Sequence, residues 1–159
     1  MSKFPSLEIT NLYKPLSFSN FSVEEFFSRI FSLHRHNSSG LLSIAFLSRS
    51  SHSKIHGKFL NDFRPTDVIT FPADIMEGSA GEICVSVDQA IDESMERNVS
   101  LAEELSLYLI HGWLHLVGFD DKELVDRTIM RREESKAMEL IRQEHAWPDF
   151  LLAPLHNHY

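Results

Sequence analysis

The chain has 159 residues, of which 43% are apolar, and this is enough for one domain with a packed core. A single cysteine excludes an internal disulfide framework, and no apolar run reaches the roughly 20 residues of a membrane-spanning helix. The formal net charge of −8 argues against a general nucleic-acid binder. Residues 1–5 lack the charged-then-apolar layout of a secretory signal, so we expect a cytoplasmic protein without membrane contact.

The predicted elements follow from hydrophobic periodicity and from capping and turn signals. In chain order they are a strand at 7–12, a helix that begins at a capping box over 22–25 and ends between 37 and 40, a strand at 41–47, a helix at 53–63, strands at 68–71 and 82–87, a short helix at 88–97, a helix at 101–117 and a last helix at about 122–144. Alternating strands and helices predict an α+β fold. We expect a single compact domain over 1–159, with a mixed, mostly parallel sheet packed with helices.

Several side chains can be assigned to faces of these helices. The helix at 53–63 is expected to bury Ile55, Phe59 and Leu60, and the last helix is expected to bury Leu124, Val125, Ile129, Ala137, Met138 and Ile141. A solvated face of the last helix is expected to carry Arg127, Arg131, Arg132, Glu133 and Glu134. Two prolines interrupt the rest of the chain, so residues 146–159 are predicted to form a poorly ordered tail.

The charge is unevenly distributed along the chain. Residues 1–66 carry eight Lys and Arg against four Asp and Glu, whereas residues 67–159 carry seven against nineteen. The window 26–61 contains no acidic residue but five basic side chains and four histidines. Two interpretations are open: a locally basic face that attracts phosphate, or buried helix and strand in which acidic residues are rare anyway.

The helix at 101–117 carries the most informative motif. It begins at a capping box formed by Ser100 and Glu103, and it is apolar nearly all round, which indicates a buried helix. His111 and His115 are four residues apart and therefore lie on one face, where both ring nitrogens can reach one ion at about 2.0–2.1 Å. Unpaired buried imidazoles are costly, and a metal ion is a partner for both. The alternative is an ordinary histidine pair without a metal.

A turn and a carboxylate follow the second histidine. Gly118 is a helix stop, because glycine adopts the left-handed conformation at low cost. The reversed chain can bring Asp121 back as a third ligand and leave a fourth position for water, as in catalytic zinc sites. Asp120 is the alternative third ligand. The sequence therefore predicts one Zn²⁺, or another divalent ion such as manganese, at His111, His115 and Asp121.

Three blocks of sequence resemble a known family. H-G-W-L-H-L-V-G-F-D-D at 111–121 is similar to the H-G-x-L-H-L-x-G-[YF]-D-H signature of the YbeY family, the metal-dependent endoribonucleases of ribosomal RNA maturation. Residues 60–72 resemble the family's L-N-x-x-[YF]-R and P-T-D-V-L-S-F-P blocks, and residues 81–86 resemble its G-D-I-x-I-S strand. The resemblance implies a four-stranded sheet with the metal in a cleft. It also implies cleavage of single-stranded or ribosomal RNA, with the ribosome or its proteins as further partners.

The chain departs from the family pattern at two places. The family usually has a third histidine where this chain has Asp121, and a carboxylate makes the site less positive, so a bound metal should acidify its water less. The family also has several residues between its arginine and P-T-D-V, whereas Arg64 directly precedes Pro65. Arg64 is the predicted phosphate contact because a guanidinium fork matches phosphate oxygens. The alternative for Arg64 is a surface ion pair.

The chemistry of the motif favours one reaction class over another. Peptidases of the His-Glu-x-x-His type place a general base directly after the first histidine, and here that position is Gly112. We therefore expect a metal-dependent endoribonuclease rather than a protease, with the choice of RNA resting on the resemblance. Two alternatives stay open: a metallohydrolase of a small ester or amide, and a ribosome-assembly factor with a structural metal.

Overall fold

A computed structural model describes residues 4–35, 39–60 and 66–154. Its elements in chain order are β1 (Ser6–Asn11), β2 (Leu16–Ser17), α1 (Asn20–Leu33), β3 (Leu41–Leu47), α2 (Arg49–Leu60), β4 (Val68–Phe71), β5 (Ser79–Ser86), α3 (Val87–Arg97), α4 (Leu101–Leu116), α5 (Leu124–Gln143) and β6 (Leu151–Leu152).

Four of the strands form one sheet in the order β1-β3-β5-β4. β3 pairs in parallel with β1 on one side and with β5 on the other, and β4 pairs antiparallel with β5 at the edge. This mixed, mostly parallel sheet and the helices packed on it confirm the predicted α+β fold. β2 and β6 form a separate two-stranded antiparallel pair.

The sheet separates two apolar cores because successive side chains on a strand point to opposite faces. On β3, Leu42, Ile44 and Phe46 belong to the main core, which they share with α1, α3, α4 and α5. Ala45 and Leu47 belong to a smaller cluster with residues of α2, β4 and β5. α4 therefore lies in the main core against the sheet, and α2 covers the opposite face.

The contact between α4 and the sheet depends on a glycine. A Cβ atom at Gly112 would lie 2.8 Å from Cγ2 of Ile83 and 3.3 Å from side-chain atoms of Val68 and Thr70. No real side chain tolerates the shorter of these distances without a shift of its neighbours. Gly112 thus lets the histidine-bearing part of α4 approach β4 and β5 closely.

The first helix begins earlier than predicted. The sequence suggested a capping box at Ser22, but the N-cap is Ser19, whose Oγ accepts a hydrogen bond from the backbone N–H of Ser22. The helix also ends earlier, at Leu33 rather than near residue 37. The prediction was wrong at the start because Ser19 satisfies the free N–H groups first.

Three assignments of apolar side chains to the core were wrong. Phe59 is exposed, although its ring contacts Phe71 on β4. Leu124 and Val125 are also exposed, because α5 begins only at Leu124 and its first turn extends beyond the core. The neighbouring turns of α5 bury Met130, Ala137 and Ile141 instead.

The segment after α5 is packed rather than loose. Phe150 is buried between the rings of Phe18 and Phe46, and β6 pairs with β2. The Asp149 carboxylate accepts hydrogen bonds from Ser19 and Ser22. The predicted poorly ordered tail is therefore wrong for residues 146–152, because aromatic contacts and a helix cap hold this segment, while residues 155–159 lie outside the described residues.

No helix in the part of the chain that the structure describes has both the length and the apolar character needed to cross a membrane.

Candidate metal centre and adjoining cleft

The ends of α4 have the local structure that the sequence predicts. Ser100 is the N-cap, and its Oγ accepts a hydrogen bond from the backbone N–H of Glu103. At the other end, Gly118 adopts φ +109°, its N–H donates to the carbonyl of His115, and the N–H of Phe119 donates to the carbonyl of Leu114. This pair of bonds is a Schellman motif, which ends the helix and reverses the chain.

The reversal brings a carboxylate back to the two histidines. Nε2 of His111 lies 3.1 Å from Nε2 of His115, and Oδ2 of Asp121 lies 3.3 Å from the first nitrogen and 3.2 Å from the second. The three side chains are 21%, 25% and 39% exposed, so the cluster lies at the protein surface without being fully open. His111, His115 and Asp121 could hold a metal ion.

The distances within this triangle fit a tetrahedral ion. Ligand atoms at about 2.0–2.1 Å from a tetrahedral ion lie about 3.3–3.4 Å from one another. The observed edges of 3.1–3.3 Å agree with one face of such a tetrahedron. A proton on one nitrogen could join only one pair of these atoms, whereas a cation attracts all three. The donor set therefore fits a divalent metal.

Glu134, which was predicted to lie on a solvated face of α5, contacts one of the candidate metal ligands. Oε1 of Glu134, on α5, lies 3.5 Å from Nδ1 of His111, and its side chain is only 15% exposed. A proton on Nδ1 that faces this carboxylate leaves the Nε2 lone pair for a metal. Burial lowers the pKa of His111, but the hydrogen bond and charge of Glu134, with Asp67 and Asp121, outweigh burial and raise it.

The neighbouring Glu133 was also wrongly placed on the solvated face. Its Oε2 lies 2.8 Å from Nε2 of His34, and its Oε1 lies 2.9 Å from Nζ of Lys136. Glu133 and His34 are both buried, so this hydrogen bond joins the end of α1 to α5 inside the protein. Glu133 therefore stabilises the packing of α1 against α5, whereas the adjacent Glu134 faces the candidate metal centre.

A pocket of about 250 Å³ adjoins the three candidate ligands. Its walls come from the edge strand β4, from Thr66 and Asp67 before that strand, and from His56 on α2. The carboxylate of Asp67 accepts a hydrogen bond from the backbone N–H of Val68 at 2.8 Å, which fixes the entry into β4. A small molecule or a segment of chain in this pocket would contact the candidate metal ligands directly.

A second, larger cleft of about 920 Å³ lies on the other side of His111, between α3, α4 and α5. Its floor includes Glu104 and Tyr108, which are both buried, and Arg97 and Arg131 lie on its walls. His111, Thr66 and Asp67 line both cavities. The candidate metal centre thus adjoins both the small pocket and the larger cleft.

Three further predictions concern Asp120 as a ligand, Arg64 as a phosphate contact and the acid-free window 26–61. Asp120 is exposed, and its carboxylate accepts a hydrogen bond from the backbone N–H of Asp121, so it lies outside the three-residue cluster. Arg64 lies outside the described residues. In the acid-free window, Arg29 pairs with Glu144 and Arg49 pairs with Asp92, so part of its positive charge is neutralised by other elements.

Comparison with known proteins identifies the family. The family model described as endoribonuclease YbeY matches residues 8–142. The chain belongs to the endoribonuclease YbeY family. Among its relatives, a protein of Protochlamydia amoebophila named endoribonuclease YbeY is 40% identical over 101 residues, which are 61% of this chain and 67% of that protein. A YbeY of Azobacteroides pseudotrichonymphae is 37% identical over 103 residues, covering 65% of this chain and 74% of its own length.

A solved structure agrees with this assignment at the level of the fold. The solution structure of a protein from Thermotoga maritima superimposes with a TM-score of 0.62 and 24% sequence identity. The match covers 88% of this chain and 91% of that one. The family resemblance first seen in the His-Gly-Trp-Leu-His block is confirmed by the family model over residues 8–142, and the solved structure agrees with it in fold.

Proposed function

We propose that this YbeY-family endoribonuclease cleaves single-stranded RNA with one divalent metal ion, zinc in the first instance, bound by His111, His115 and Asp121. The observation that carries the proposal is the triangle of Nε2, Nε2 and Oδ2 atoms, with edges of 3.1–3.3 Å, beside an open pocket. Three protein ligands beside open space are typical of catalytic zinc sites, whereas structural sites have four protein ligands.

The residues of the chain have distinct tasks in this proposal. His111, His115 and Asp121 would hold the zinc ion, which would supply a Lewis acid and lower the pKa of a bound water towards neutrality. Both histidines present Nε2, and the carboxylate of Glu134 fixes the ring of His111. Asp121 adds a negative charge, which reduces the net charge of the site compared with three histidines.

Binding of a substrate phosphate requires a positively charged side chain near the candidate metal centre. Arg131 lines the cleft beside His111, and it forms no ion pair with another residue in the part of the chain that the structure describes. We propose that Arg131 contacts a substrate phosphate, since an unpaired guanidinium can offer its whole donor fork. The corresponding role of Arg64 stays a prediction from the sequence.

The biological setting is proposed from the family. Curated relatives are named endoribonuclease YbeY, and ribosomal RNA processing accords with that family. We propose that the chain acts in the cytoplasm on ribosomal RNA, with the ribosome or its proteins as partners. An acidic protein binds free RNA poorly, so selection of the substrate by a ribosomal partner is consistent with the net charge of −8.

The test combines metal analysis with RNA cleavage. Elemental analysis of the purified protein should give about one divalent ion per chain, and the protein should cleave a single-stranded RNA but not its duplex. His115→Ala should remain folded, lose most of the metal and stop cleavage. His145→Ala is the matched control, because His145 is exposed and lies outside the cluster.

The same samples separate the two alternatives. Faster turnover of simple esters or amides than of RNA by the metal-loaded protein would favour a small-molecule metallohydrolase. Unfolding of His115→Ala, together with a wild type that never cleaves RNA, would favour a structural metal. Full cleavage by a protein stripped of its metal would overturn the proposal.

A further inference from the structure

The floor of the larger cleft contains two buried polar groups that lack a hydrogen-bond partner among the described residues. Glu104 is 2% exposed and Tyr108 is 4% exposed. Oε1 of Glu104 and the hydroxyl of Tyr108 form no hydrogen bond with any other described residue. Glu104 forms an ion pair with Arg97, whose Nη1 lies 3.7 Å from Oε1. Buried polar atoms almost always have partners, so these two groups require an explanation.

Both groups lie on the face of α4 that leads to the candidate metal centre. Tyr108 and Glu104 precede His111 by three and seven residues, which places all three on one side of the helix. At a rise of 1.5 Å per residue, Glu104 lies about 10 Å along the helix axis from His111. One nucleotide spans a comparable distance from its phosphate to the far edge of its base. A phosphate at the metal centre therefore allows the attached base to reach the floor of the cleft.

We propose that Glu104 and Tyr108 form a guanine subsite, which selects the RNA nucleotide whose phosphate lies at the metal centre. This inference rests on the proposed function as an endoribonuclease. Unstacked RNA bases are read by hydrogen bonds to their Watson–Crick edges. The edge of guanine presents two adjacent N–H donors, N1–H and N2–H, which can face the carboxylate of Glu104. Next to them lies O6, an acceptor for the hydroxyl of Tyr108.

The other three bases fit this arrangement less well. Adenine and cytosine each place the lone pair of a ring nitrogen beside their amino group, and that lone pair would face the carboxylate. Uracil has a single N–H between two carbonyl groups, so a carbonyl oxygen would oppose one carboxylate oxygen. A site built to hydrogen-bond one partner rejects analogues strongly, because its buried groups are then left unpaired.

Arg97 does not close the subsite. Its side chain is 55% exposed, and its Nε lies 3.3 Å from the partly exposed Glu93, so it is anchored at the rim and not in the core. A guanidinium group at this position can stack on the plane of an entering base. The carboxylate of Glu104 would then exchange its ion pair with Arg97 for two N–H donors of the base.

Binding of single nucleotides tests the subsite without relying on cleavage. Calorimetric titration of the metal-loaded protein with GMP, AMP, CMP and UMP should give a dissociation constant for GMP that is lower by about tenfold or more, the discrimination typical of a good bidentate base contact. Glu104→Gln should reduce the affinity for GMP to the level of the other nucleotides. Glu103→Gln, a matched control on the same turn and outside the cleft, should keep the preference.

A second variant covers the case in which Glu104→Gln does not fold. Tyr108→Phe keeps the buried ring and removes only the hydroxyl, so it should fold and lose several-fold in GMP affinity while UMP affinity stays unchanged. Equal affinities of the wild type for the four nucleotides, undetectable GMP binding, or a full guanine preference in both variants would overturn the subsite.

The two proposals fail in distinguishable ways. A protein that cleaves RNA but binds the four nucleotides alike retains the proposed function and lacks the guanine subsite. A protein that prefers GMP but never cleaves RNA has the base subsite and is not the proposed nuclease. When both proposals hold, end-labelled RNA with a single guanosine in a run of uridines should be cut at one fixed distance from the guanosine.

Discussion

Nδ1 of His111 on α4 lies 3.5 Å from Oε1 of Glu134 on α5. The two residues are 23 positions apart in the sequence, and each comes from a different helix. A carboxylate in this position favours the tautomer with its proton on Nδ1, which leaves the lone pair of Nε2 towards Asp121 and His115. The rigidity of the candidate metal centre thus depends on the packing of α5 against α4.

Glu134→Gln should weaken metal binding while leaving the ligands themselves intact. Replacement of a partner that orients a metal-binding histidine typically costs about 10–100-fold in metal affinity or activity. Competition with a chelator of known affinity measures this loss. Glu139→Gln on the same helix is the control, because Glu139 pairs with Arg142 and accepts a hydrogen bond from Gln143, both on the exposed side of α5. Equal metal affinities in the two variants would remove Glu134 from the orienting role.

Asp121→Ala should lower metal affinity strongly, whereas Asp120→Ala should lower it only modestly. Oδ2 of Asp121 is within 3.3 Å of both histidine nitrogens, while Asp120 only accepts a hydrogen bond from the turn. Metal content after dialysis distinguishes the two variants. Asp121→His should restore tight binding with a more positive site, and higher cleavage by that variant would show that the carboxylate moderates the metal. Identical metal content in both alanine variants would contradict the assignment.

Acid should destabilise the protein through Glu133. Hydrogen bonds from His34 and Lys136 lower the pKa of Glu133 from 4.5 to about 2. The carboxylate thus contributes stability that is complete above about pH 4.5 and is lost as the pH falls towards 2. Urea unfolding across this range should give a steeper decline for the wild type than for Glu133→Gln.

The same variant should be less stable at neutral pH. Replacement of a buried, hydrogen-bonded carboxylate leaves His34 with a weaker partner, and we expect a loss on the order of 1–3 kcal/mol in the free energy of unfolding. Glu25→Gln is the control, since its pair with Arg29 is solvent-exposed and worth less than about 1 kcal/mol. Parallel pH profiles for wild type and Glu133→Gln would argue against the buried pair.

Two small substitutions on α4 should differ in their effect on the free energy of unfolding. Gly112→Ala places a Cβ atom 2.8 Å from Ile83, and such overpacking typically costs about 1–3 kcal/mol. Ser106→Ala removes a buried hydroxyl that bonds no other described residue, so it should be neutral or stabilising. Thermal unfolding compares the two, and a loss of stability in Ser106→Ala as large as that in Gly112→Ala would contradict the packing argument.

Local signals in the sequence were sufficient for the elements around the candidate metal centre. β4 was predicted with its observed bounds, and α4 differs from its prediction by one residue at the end. The helix spacing of His111 and His115 and the turn at Gly118 depend only on neighbouring residues, so the cluster with Asp121 could be predicted. The measurements of metal content and metal affinity described above test whether this cluster binds a metal.

Features that depend on distant parts of the chain could not be predicted. Glu133 and Glu134 are adjacent in the sequence, and no local pattern indicates that one meets His34 and the other meets His111. The start of α1 also has a distant partner that no local pattern indicates, because Ser19 and Ser22 donate hydrogen bonds to the carboxylate of Asp149 beyond α5. Buried polar groups in the large cleft also give no signal in the sequence.

The hydrogen bond between Ser19 and Asp149 joins residues 130 positions apart. During synthesis on the ribosome, α1 emerges long before the carboxylate that supports its first turn. Domains fold as units, and a segment whose partner residues are not yet synthesised exposes apolar surface until they are. We therefore expect nascent chains that stop before residue 149 to be substrates for chaperones and proteases, and release of the final segment to complete folding of the beginning of the protein.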